Sequence, residues 1–166
     1  MRGDANQQAV MLTAITPDAK VPQDHPIRAI KPIVDRALRD LSPVFTAMYA
    51  KVGRPSIPPE HLLKGTLLMA LYSIRSERQF CERLQYDLLF KWFLGLNIDD
   101  PAFDASTFSK NQERLLRHDV ARQFLAAVTA EANRRQLLSS AHFTVDGTLL
   151  QAWASLKSVH PRDGDG

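Results

Sequence analysis

The sequence predicts a mainly α protein: an N-terminal helical bundle containing a helix-turn-helix-like element, followed by the first strand or hairpin of a second unit. Three observations predict it. Apolar residues recur at helical spacing from about residue 27 to residue 136. Eight of the ten prolines fall before residue 60, so the opening third consists of short, interrupted pieces before long helices begin. Only at His142-Phe143-Thr144-Val145-Asp146 does the pattern alternate, as a β-strand does, and Gly147 then ends it. With 166 residues and 45% hydrophobic content the chain can bury one core, enough for a domain or a domain plus a piece of another.

The first 24 residues read as a flexible lead-in. Asp24-His25-Pro26 starts the first helix, with Asp24 as cap and Pro26 in the first turn, and Ile27, Ile30, Val34 and Leu38 mark its apolar face. Leu41-Ser42-Pro43 restarts the chain into a short helix bearing Val44 and Met48, which Gly53-Arg54-Pro55-Ser56 ends. From Pro58 to about Ile74, Leu63, Leu67, Leu71 and Ile74 fall at helical spacing, with Leu62, Leu68 and Met69 widening the stripe, which suits a central buried helix. Ser76 and Gln79 form a capping box ahead of Phe80, Leu84 and Leu88, and the aromatic cluster Phe90, Trp92, Phe93 closes at Gly95. Asp99-Asp100-Pro101 is a turn. Asp104 or Ser106 caps a helix to about His118, and Ala121, Phe124, Leu125, Val128 and Ala132 line the next one. The helical domain therefore spans 25–138, and 139–166 begins something else.

Composition narrows the partners only a little. The formal charge is +3, and the isoelectric point near 9.2 is compatible with a polyanion without demanding one. Cys81 is the sole cysteine, which excludes an internal disulfide and a cysteine-rich zinc site and fits a cytoplasmic location. The N-terminus lacks the basic-then-apolar order of a secretory signal. The longest apolar stretches, Leu67 to Tyr72 and Leu88 to Leu96, fall far short of the ~20 residues a membrane span needs, so no membrane partner is expected.

The helix after Asp104 sets Lys110, Arg114 and Arg117 at i, i+4 and i+7, with Phe108, Leu115 and Leu116 free to face the core. A helix-turn-helix module lays such a basic face against double-stranded DNA, and Ser106, Thr107, Ser109, Lys110, Asn111 and Gln112 are its candidate contacts, with Arg114 and Arg117. The same spacing equally describes a solvated face. Arg75, Arg78 and Arg83 form a second basic group, open to the same two readings because Glu77 and Glu82 are interleaved with them. The five histidines share no metal-ligand spacing, and Cys81, beside Phe80, reads as a packed core thiol. Asp146, held between Val145 and Gly147 at a strand end, can face a metal, though Asp-Gly is also a hairpin signal.

Two stretches carry a resemblance. Gly53-Arg54-Pro55-Ser56-Ile57-Pro58-Pro59-Glu60 through LLKGTLLMALYSIRSERQFCERLQYDLLFKWFLGL, and HFTVDGTLLQAWASLKS, are similar to the insertion-sequence-five group of bacterial DDE transposases; FDASTFSKNQERL resembles that group's helix-turn-helix-like element. The resemblance implies a helical N-terminal domain for binding terminal inverted repeats and for assembly, as a homo-oligomer or with a full-length transposase. It further implies an incomplete ribonuclease-H-like α/β domain from residue 139 onward. In that group the aspartate of the Val-Asp-Gly-Thr motif, here Asp146, is the first of three acidic ligands for Mg²⁺, and the other two lie further along than Gly166. The resemblance thus implies DNA binding by this chain, with strand cleavage and joining belonging to a fuller catalytic domain. Because one carboxylate holds Mg²⁺ weakly, the chain alone is expected to be inactive, as a truncated or frameshifted product would be. The alternative is a non-catalytic oligomerisation or regulatory module that inhibits full-length transposase through the aromatic surface around Trp92.

Overall fold

The computed structural model describes residues 16–48, 56–117 and 119–137. In chain order the helices are α1 (Pro17–Lys20), α2 (Ile27–Met48), α3 (Pro59–Leu71), α4 (Glu77–Tyr86), α5 (Leu88–Leu94), α6 (Ala105–Arg117) and α7 (Val120–Arg134). The described residues form no strand. The strand expected at Phe143 to Asp146, with the whole of 139–166, lies outside them. Among the described residues no helix is long and apolar enough to cross a membrane.

Where two helices were expected between residues 26 and 48, α2 runs unbroken through Pro32 and Pro43. Eleven residues, about three turns, separate the prolines, so they share one face, and both are exposed together with Arg36, Arg39 and Asp40. Each proline removes an N–H that would have bonded a carbonyl four residues back, but that carbonyl lies on the wet side. The opposite face buries Ile27, Ile33, Val34, Ala37, Leu38, Leu41 and Phe45, and this continuous apolar stripe overrides the local signal to stop. Its start is also different: the Nδ1 of His25, rather than the Asp24 carboxylate, accepts from the Ile27 N–H at 3.1 Å.

The next three helices are punctuated by short polar devices. Ser76 accepts from the Gln79 N–H at 3.3 Å, opening α4 as the capping box predicts. Asp87 then divides what reads as one helix into two, since its carboxylate accepts from the N–H groups of Leu89 and Phe90 at 3.0 and 3.2 Å. Gly95 ends α5 at φ +83°, with its own N–H and that of Leu96 turned back onto the Lys91 carbonyl. Ser73 (φ +53°) ends α3 in the same left-handed conformation without a glycine.

The core gathers on α3, whose Leu62, Leu63 and Leu68 are buried beneath Phe80, Phe90, Phe93 and Phe108. Phe80 stacks at a tilt on Phe108 and Phe90, with ring centroids 5.3 and 5.9 Å apart. Gly65 is the floor of this arrangement: a Cβ there would sit 2.9 Å from Phe80 Cζ and 3.1 Å from Phe108 Cζ. α7 packs along α2, and α6 packs on α3, α4 and α7.

α1 and Val21, within the expected lead-in, are docked against α5. Trp92 Nε1 donates to Asp18 Oδ1 at 2.7 Å, and Arg28 Nη1 donates to the same oxygen at 2.9 Å. Arg28 also holds the carbonyls of Asp18, Val21 and Pro22, and its guanidinium lies 4.9 Å from the Trp92 ring centroid.

Candidate nucleic-acid interface

α6 starts where the Asp104 carboxylate accepts from the Thr107 N–H at 2.9 Å and from the Ser106 hydroxyl at 2.6 Å. These bonds, that of Ser106 foremost, hold the Asp104 carboxyl below its ordinary value. From this cap the helix divides into three faces. Phe108, Asn111 and Leu115 turn into the protein; Asn111 is only 8% exposed, and its amide donates to the Thr107 carbonyl at 2.7 Å. Ser106, Thr107, Lys110 and Arg114 are exposed. Ser109 and Gln112 lie between, and each reaches a neighbouring helix.

The Ser109 hydroxyl donates to the Glu77 carboxylate in the first turn of α4. Gln112 Nε2 donates to Thr66 Oγ1 on α3 at 3.1 Å, and Thr66 in turn donates to the Leu62 carbonyl at 2.7 Å. α6 is therefore fixed on its inner side by aromatic packing and along its flank by two polar bridges to different helices. The Glu77 contact sets the opening of α4 beside the middle of α6. Arg75 and Arg78, which bracket Glu77 in sequence, are exposed, as is Lys110 on α6.

Arg83 belongs elsewhere. Its Nε donates to Asp87 at 2.8 Å, and the guanidinium lies over the rings of Phe90 and Tyr72 at 4.4 and 5.2 Å, which withdraws it from the basic group expected around the capping box. The side chain of Arg117 and all of Asp146 lie outside the described residues. Among the described residues no three His, Cys, Asp or Glu side chains gather where a metal ion could bind. Cys81 is buried, and burial, aided by the charges of Glu77 and Asp104, pushes its thiol up to about 11, away from any role as a thiolate nucleophile near neutral pH. Trp92, expected to offer a surface to a partner, is engaged by α1 and Arg28.

Sequence reasoning missed the internal cations. Lys91 is 1% exposed, and its ammonium donates to the carbonyls of Ile98 and Asp100, both at 2.6 Å, which pins the turn that leads toward α6. Lys64 is buried on α3 and pairs with Asp35 on α2 at 2.6 Å, while Lys31 takes the other carboxylate oxygen at 3.0 Å. Burial alone would raise Asp35, but the two ammonium groups outweigh it and hold the carboxyl below its usual value. The one sequence signal for Lys64 and Lys91 is their setting, a lone cation in an otherwise apolar run.

Compared with known families, residues 15–114 match the family model described as Transposase domain (DUF772). No curated protein matches the chain. No solved structure matches it either.

Proposed function

Because the chain belongs to the transposase domain family, with the match covering the greater part of its length, we propose that its helical bundle binds double-stranded DNA at the terminal inverted repeats of an insertion sequence. In this reading α6 is the DNA-facing helix of a helix-turn-helix-like element and α4 is its brace. Ser106, Thr107, Lys110 and Arg114 meet the duplex, and Arg75 and Arg78 add phosphate contacts from the start of α4. The observation that carries the proposal is the exposed face of α6, with Lys110 and Arg114 one turn apart, on a helix whose back is anchored by Phe108 and Leu115. A stripe of this kind, short and rigidly backed, suits a groove better than a mobile charge cluster does.

The finer assignment follows from the resemblance: a DDE transposase of the insertion-sequence-five group, acting in the bacterial cytoplasm as a homo-oligomer or with full-length transposase. Cutting and joining of DNA then belong to a ribonuclease-H-like domain in which Asp146 is one ligand of Mg²⁺. Among the described residues no acidic cluster fits the ion.

The test is a salt titration of binding to fluorescein-labelled duplexes taken from the DNA that flanks the coding sequence, against a scrambled duplex of equal composition. Tighter binding to a flanking duplex is expected. Lys110→Ala should lower the slope of log affinity against log salt by about 0.9, the share of one phosphate contact. Equal binding to both duplexes, or an unaltered slope in Lys110→Ala, would refute the proposal.

A further inference from the structure

Two polar residues of α6 that look like DNA contacts in sequence are already engaged by neighbouring helices. Ser109 gives its hydroxyl proton to Glu77 on α4, and Gln112 gives its amide to Thr66 on α3, itself a buried residue. Around the helix these two lie on the flank, between the buried line of Phe108, Asn111 and Leu115 and the exposed line of Ser106, Lys110 and Arg114. Aromatic packing behind Phe108 limits how far α6 stands off α3, but rings tolerate rotation of the helix about its own axis. A directional bond on the flank does not, because turning α6 by one residue carries Ser109 about 100° away from its acceptor.

From this geometry, and resting on the DNA-binding reading above, we infer that Ser109 is a positioning residue: by anchoring to Glu77 it sets the rotation of α6 that aims Ser106, Thr107, Lys110 and Arg114 at the duplex, and it does not touch DNA itself. Gln112 and Thr66 make the second point of the same fixture. Two flank bonds to two different helices define that rotation more closely than one does. The bond also gives the Glu77 carboxylate a partner within the protein.

Positioning and contact leave different signatures in the same titration. A phosphate contact contributes to the salt slope, whereas an aiming bond changes affinity with the number of neutralised phosphates unchanged. Ser109→Ala should weaken binding to the flanking duplex by about five-fold, the worth of one net hydrogen bond, with the slope of the wild-type chain. Ser109→Thr, which keeps the hydroxyl, should restore binding and guards against a folding defect in the alanine variant. In an Glu77→Ala background the Ser109→Ala change should have no further effect, since its acceptor is gone. A Ser109→Ala slope that drops as in Lys110→Ala, or an equal loss with Glu77 present or absent, overturns the positioning role and leaves the DNA-binding reading standing. A wild-type chain that ignores the duplexes overturns both.

Discussion

At the scale of single residues, Gly65 shows how a small side chain can be required inside a helix that would otherwise welcome alanine. Helix propensity favours Gly65→Ala by roughly 1 kcal/mol. Against that, the new methyl would meet Phe80 at 2.9 Å and Phe108 at 3.1 Å, and both contacts are with ring carbons packed on further rings, not with the end of a flexible chain. Overpacking of this kind costs about 1–3 kcal/mol, so a net loss of stability is expected and a urea melt will measure it. Asp35 makes a second residue-scale prediction. Burial would raise its carboxyl, but Lys64 and Lys31 depress it, so the folded value lies below the unfolded one. A depressed acid contributes stability that is present above the unfolded value and lost as pH falls through the folded one. Melting temperature should therefore decline on acidification from about pH 5 downward, and Asp35→Asn should flatten that part of the profile.

Helices were legible to the extent that their signals are local. Ser76 with Gln79, the Gly95 stop and the Asp104 cap each depend on atoms within four residues, and each is realised. α2 was not legible as one element, because what carries it through Pro32 and Pro43 is the apolar face it lays against other helices, and proline chemistry alone argues for two pieces. The break at Asp87 was hidden for the opposite reason: a single side chain serves as the stop of α4 and the start of α5. On α6 the inward positions Phe108 and Leu115 were readable from apolar spacing, whereas Ser109 and Asn111 look like any exposed polar residue until the neighbouring helix is known. Pro43→Ala adds a backbone N–H in mid-helix at an exposed site and relieves a cost of about 3 kcal/mol in an ideal helix. Thermal denaturation should register a stabilisation of at least about 1 kcal/mol, less than the full figure because α2 has already accommodated the ring.

On the scale of the whole molecule, the N-terminal end of the described chain is tied in by a contact that is remote in sequence. Asp18 reaches Trp92 across 74 residues of sequence and shares the contact with Arg28, so its carboxylate ties the segment before α2 to α5, beside buried Val21 and the carbonyls that Arg28 holds. Asp18→Ala should raise amide hydrogen exchange in residues 17–22 by roughly ten-fold or more while leaving α3 and α6 protected, since only the local latch is lost. Protection that fell everywhere would mean that α1 is integral to the core. Nothing in the sequence marked this latch: Asp18 and Trp92 become neighbours only through the fold, and α1 is too short for periodicity to announce it.

Lys91 has a consequence for electrostatics at a distance. Its side-chain nitrogen donates to two backbone carbonyls and is closed off from solvent, so water screens its interactions poorly. In the DNA-binding reading proposed above, exposed Lys110 and Arg114 can touch the duplex while Lys91 can act on it only through space, a difference that a tally of lysines and arginines does not show.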